Sequence, residues 1–401
     1  MANHTSTFLM QRKMSYSLIL IVIYIFLRLI PLNGIDLAAY SIENAIGVGN
    51  FFNLFIGSSQ QNYFVMSIGL YPYITASLII QIYIYIFSRG NKLNISPQRI
   101  NKYTVIFSFL LTILQATLNL NELHLINDYE NNFFKKLLVF EELVVGSMFC
   151  QWLVIKNKEK GVGGIGLFIL MNILFGLVSN IIRFNSTDLT LPFIISICIL
   201  IVIIVVENIE VKIPVLRTSI HNDFSSNSYI SFKLNPISIL PVMFTSAIFA
   251  LLNTTFSFLS GVFGNASVLS LIHECLNTQI PMGGIIYLVL LLFITILFSF
   301  IIINPVTISE NLLKNGDCID GVHPGQETKR FLKIRLFICS LCGALIMMIC
   351  VGISFLFSYL GIIDPNLSMI PLSFMLMAGI ICNLFQEIKA LKEFDMYRKF
   401  I

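Results

Sequence analysis

The sequence predicts an all-α integral membrane protein that crosses the bilayer about ten times, and composition, run length and charge placement predict it. Hydrophobic residues make up 56% of the 401 and charged residues only 11%, with a mean hydropathy of +0.85. A soluble domain carries roughly 25% charged residues, so this chain could not cover a water-facing surface. Runs such as Ile194–Val206 and Ile285–Ile303 are continuously apolar. Strands of an outer-membrane barrel would alternate in polarity instead, so the spans are helices.

Taken in order, the spans are expected at 15–32, 64–87, 103–121, 136–155, 165–183, 189–206, 237–259, 282–304, 333–360 and 368–388. The first follows Arg12 and Lys13 as a signal peptide would, but it runs to Ile30 without a small-residue cleavage motif, so a retained helix is expected. Segment 48–62 (VGNFFNLFIGSSQQN) is too short to span, and its glycines and polar tail suit a re-entrant helix shielded by protein. The C-terminal five spans follow the N-terminal five with opposite topology, as in inverted repeats. The expected halves are 1–188 and 189–401, the second carrying long loops at 207–236 and 305–332.

Charge placement orients the bundle. With ten spans, 21 of the 25 basic residues fall on the side of the termini, leaving Arg28, Lys135, Lys136 and Arg183. Positive charge stays inside, so both termini are expected in the cytoplasm.

No catalytic, metal or cofactor constellation emerges. His273-Glu274 lacks the second histidine of HExxH, and the glycines from Gly161 to Gly164 have no preceding strand and no following Lys-Ser/Thr. Cys339 and Cys342 sit inside an apolar run and read as small packed residues. The spans hold almost no central charge: Arg28 lies near the outer end of the first, where it could snorkel, and Glu141 and Glu142 lie in the outer part of the fourth. Ion-coupled transporters keep such charges for function, so a passive apolar pore fits better than a secondary transporter.

Residues 67–81 (SIGLYPYITASLIIQ) closely resemble the second-helix signature of the SecY family of protein-conducting channels. Further matches follow in order. They are Ile30-Pro31 with Gly34 to Asp36, Phe52 to Phe55 with Gly57, Gly146 to Phe149 with Trp152, and Glu159 to Gly161. Lys233 to Asn235, Asn304-Pro305, Glu310 to Leu312 and Gly321 to Gly325 complete a set that covers nearly the whole chain.

The resemblance implies an hourglass channel for unfolded polypeptides. Its pore ring would be Leu70, Ile74, Ile169, Ile173, Met243 and Leu376, and its plug would include Phe52, Asn53, Phe55 and Gly57. A narrow aliphatic ring dewets and resists ions, and Met243 is unbranched and adaptable. The lateral gate would lie between the second and seventh helices, with Gln81, Thr245 and Ser246 as polar contacts. A SecA-type motor ATPase would supply energy, docking at Lys314, Gly321, His323, Pro324, Gly325, Lys329 and Arg330, and small SecE-like and SecG-like or accessory membrane subunits would accompany the pore.

Two departures point to a branch. The family usually has arginine where this chain has His323, which lacks a permanent charge. Loop 207–236 balances Lys212, Arg217 and Lys233 with Glu207, Glu210 and Asp223, poor in positive charge for this family. With the short chain, these features resemble the accessory branch of Gram-positive bacteria, which exports serine-rich glycosylated adhesins. The housekeeping branch is the alternative.

Overall fold

The computed structural model of the protein describes residues 3–34, 64–88, 96–123, 132–183, 186–216, 228–263, 280–364 and 367–397. Its helices are α1 (Asn3–Arg28), α2 (Tyr71–Ser88), α3 (Pro97–Glu122), α4 (Asn132–Lys160), α5 (Gly166–Arg183) and α6 (Ser186–Asn208). There follow α7 (Leu240–Phe263), α8 (Pro281–Ile302), α9 (Pro305–Asn315), α10 (Gln326–Tyr359) and α11 (Ile370–Tyr397). Strands β1 (Glu210–Leu216), β2 (Tyr229–Lys233) and β3 (Cys318–Ile319) make one small antiparallel sheet in the order β2-β1-β3.

Among the described residues seven helices are long and apolar enough to cross a membrane, and shorter apolar helical stretches lie at Gly166–Val178 and Leu240–Asn253. Helix length and apolar length part company at the ends. α10 begins at Gln326 and α11 runs on to Tyr397, both past their apolar stretches. Bilayer thickness fixes only the greasy part of a helix, so these helices continue into water. α2 departs the other way, starting at Tyr71 rather than at 64. Gly69 has a left-handed backbone (φ +56°) and Pro72 sits in the helix's first turn, where its missing N–H costs nothing. Residues 64–70 instead form turns, held by the Val65 N–H donating to the Ile30 carbonyl at 3.1 Å.

Local chemistry sets the other helix ends. α3 and α8 open with Pro97 and Pro281 at their starts. α9 is capped by Asn304, whose side chain accepts from the Val306 N–H at 3.1 Å, and it stops at left-handed Gly316.

One large apolar cluster joins residues of α1, α2, α4–α8, α10 and α11. α8 shows how the bundle meets its surroundings. Tyr287, Leu291, Ile294 and Phe298 are buried, while Ile285, Val289 and Phe293 on the other flank are 58–62% exposed. An apolar flank this complete has no soluble explanation and suits lipid.

Candidate functional site

The six expected ring residues come from different parts of the chain. Leu70 precedes α2 and Ile74 lies in its first turns; Ile169 and Ile173 are one turn apart on α5; Met243 opens α7 and Leu376 lies in α11. All six are buried, the most open being Met243 at 3%, and all belong to the one large apolar cluster. Ile169 and Ile173 at i and i+4 share a helix face. None of the six is ionisable, and aliphatic side chains offer water and ions no hydrogen bond.

Sequence reasoning missed a polar group beside them. Asn172, fully buried between the two isoleucines on α5, accepts a hydrogen bond from the Tyr24 hydroxyl at 2.8 Å and another from Arg28. The Arg28 guanidinium also lies 4.6 Å from the centre of the Phe175 ring. Arg28 therefore turns inward onto α5 instead of snorkelling outward, because an amide and an aromatic face solvate it there. The spacing of Tyr24 and Arg28, one turn apart on α1, was the available signal.

The seam between α2 and α7 is bonded differently from expectation. Thr245 donates to the Pro241 carbonyl at 2.7 Å and Ser246 to the Met243 carbonyl at 2.8 Å, both within α7. Buried hydroxyls on helices commonly satisfy themselves this way. Gln81 is half-buried on α2. A hydrogen bond crosses the seam from Tyr71, whose hydroxyl donates to the Ala247 carbonyl at 3.0 Å. Both residues are buried.

The two long polar loops are joined to each other. β1 from one pairs with β2 over Glu210–Pro214 and with β3 from the other at Val215 and Leu216. Ile213, Val215 and Phe232 pack with Leu312, Ile319, Leu332 and Leu336 in a second apolar cluster of their own. The expected docking residues surround it. Lys314, Gly321, His323, Pro324 and Arg330 are exposed, Gly325 and Lys329 half-buried. The His323 carbonyl accepts from the Thr328 hydroxyl at 2.8 Å, which fixes the turn while leaving the imidazole in solvent. Cys339 packs in this second cluster, and it and Cys342 are free thiols. The plug residues Phe52, Asn53, Phe55 and Gly57, and His273-Glu274, lie outside the described residues.

Apolar helices packed on one buried core, with exposed flanks for lipid and a small folded sheet between two polar loops, define a multi-pass membrane protein. The chain belongs to the SecY family, whose sequence model matches residues 65–385. It is similar to the accessory Sec system protein translocase subunit SecY2 of Streptococcus sanguinis, 24% identical over 400 residues that cover 97% of this chain and 98% of that one. The protein translocase subunit SecY of the same organism is 28% identical over 358 residues, covering 83% of this chain and 82% of the other. Both relatives are, by name, subunits of a larger translocase. Among solved structures, one described as that of a protein conducting channel superimposes with a TM-score of 0.68 at 16% identity, covering 97% of this chain and 94% of that chain.

Proposed function

We propose that this chain is the pore subunit of an accessory protein translocase in the cytoplasmic membrane of a Gram-positive bacterium, passing unfolded, serine-rich adhesins outward. The observation that carries the pore reading is the burial of Leu70, Ile74, Ile169, Ile173, Met243 and Leu376 in one uncharged cluster. Flexible aliphatic side chains seal against ions at rest and deform around a threaded chain. In this reading the chain spans the membrane ten times in two five-helix halves, 1–188 and 189–401, with both termini inside, and residues 48–62 act as the plug. It catalyses no reaction itself. A SecA-type ATPase docks at the platform around His323, and small membrane subunits brace the pore.

The direct test places cysteines at Leu70 and Met243 and asks whether each cross-links to a stalled export substrate, with Val289 on the lipid flank as control. Cross-links at the first two but not at Val289 are expected; labelling at Val289 alone would reject the pore. The housekeeping reading is favoured by the higher identity of the general SecY relative. Deleting the gene separates the two: loss of one large surface adhesin supports the accessory role, whereas general lethality supports the other.

A further inference from the structure

The link between the platform and α7 is built more tightly than a connecting loop requires. Glu207, in the last turn of α6, is a carboxylate only 1% exposed, and the chain then enters β1. After β2 it returns, and the Leu234 N–H donates to the Ile209 carbonyl at 2.9 Å, closing the base of the hairpin. Asn235, fully buried, donates from Nδ2 to Glu207 Oε1 at 3.2 Å and to the Ser238 carbonyl at 2.9 Å. Ser238 has φ +59° and is the sole non-glycine residue with positive φ among the described residues. Its hydroxyl accepts from Asn383 of α11 at 3.2 Å. Lys233 bonds to Gln386, one turn further along α11. α10 closes the other side, since a Cβ on Gly343 would stand 2.9 Å from the Leu234 carbonyl oxygen and 3.1 Å from Asn235 Cα.

A left-handed serine persists only where its surroundings over-determine it. A buried carboxylate held by a neutral amide is likewise retained against its desolvation cost. Asn235 and Ser238 lie in the few residues that run from the sheet into α7, Glu207 holds Asn235 from the end of α6, and α10 and α11 close the other sides. A segment pinned at both ends cannot absorb a displacement of the sheet by flexing; it must pass that displacement to α7 or break its hydrogen bonds.

We propose that Glu207, Asn235 and Ser238 form a coupling joint that converts movement of the cytoplasmic sheet into movement of α7, and so of the α2–α7 seam. The joint is a set of positioning residues and rests on the pore reading above. It predicts a separation: docking needs the sheet surface, and opening needs the joint as well.

The experiment uses the full chain with its companion subunits in proteoliposomes, a purified SecA-type ATPase from the same organism, and a stalled cargo carrying a photo-reactive signal segment. Asn235→Ala, which removes two buried hydrogen bonds, is expected to bind the ATPase within about twofold of wild type and to cut ATPase-dependent cross-linking of the signal segment to lipid by about tenfold. Glu207→Gln keeps an acceptor for Asn235 and is expected to retain both properties. Ser238→Gly, which tolerates the left-handed backbone but loses the bond to Asn383, gives an independent reading should Asn235→Ala fail to accumulate, with an expected loss of about threefold in lipid cross-linking alone. Parallel loss of binding and cross-linking, or wild-type behaviour in both Asn235→Ala and Ser238→Gly, would overturn the joint. A wild-type chain that never brings the segment to lipid refutes the pore reading instead.

Discussion

Tyr71 sends its hydroxyl across the α2–α7 seam to the Ala247 carbonyl. Removing it should ease separation of α2 from α7 by about 1 kcal/mol, the net worth of an ordinary hydrogen bond. Tyr71→Phe is therefore expected to raise export of a cargo with a weakened signal segment several-fold, which a secretion assay with graded signal segments would read. At the waist, Ile173→Asp would put a charge where insertion scales assign roughly 2.5–3.5 kcal/mol. The water it recruits should make the resting channel leak, measurable as ion flux from loaded vesicles, and an unchanged flux would contradict the apolar seal. Beside the waist, Asn172→Ala would orphan the Tyr24 hydroxyl and the Arg28 guanidinium together. Unmet buried donors cost about 1–3 kcal/mol each, so thermal unfolding in detergent should begin several degrees lower. The burial of the six proposed ring residues could be read in the sequence by resemblance, because aliphatic residues keep their positions in a shared helix register. The partner of Tyr71 could not, because a hydroxyl donating to a backbone carbonyl leaves no mark on the identity of the residue that accepts, whereas Asn172 had a signal in Tyr24 and Arg28, one turn apart on α1.

At the scale of elements, long apolar helices were the easiest part to anticipate and their ends the hardest. Hydropathy marks where lipid begins and is silent about how far a helix runs on into water, as α10 and α11 do. The small sheet escaped notice for another reason. β1 (EVKIPVL) buries only Ile213 and Val215, and its proline and charged residues read as a connection. Alternation over so short a stretch is a weak signal. Once paired, it has a small core of its own, and Ile213→Ala is expected to cost about 2–4 kcal/mol there. Limited proteolysis should then cut within 207–236 while the membrane helices stay protected; equal protection of both would mean that the sheet does not depend on this core.

Across the whole molecule, the expected orientation rests on the distribution of lysine and arginine, and it is open to a direct check. Green fluorescent protein fused after Ile401 should fluoresce, and alkaline phosphatase fused at the same point should be inactive; the reverse pair would invert the topology and leave the proposed platform on the wrong side for a motor. Near α11's far end, Gly163, in the turn between α4 and α5, donates its N–H to Glu387 at 2.9 Å, so the last helix touches both proposed halves.

The pairing of β1 with β3 has a consequence for how the protein is made. Residues 215 and 216 meet partners about a hundred positions downstream, at Ile319 and Cys318. A ribosome that has passed Lys233 has made two strands of this sheet, β1 and β2, but the edge that completes it emerges only after α7 and α8 have been synthesised. Long-range strand pairing of this kind must wait for its second partner. An unfinished chain thus lacks the third strand, and if the proposed docking holds, a motor finds no complete landing surface until α8 has been made.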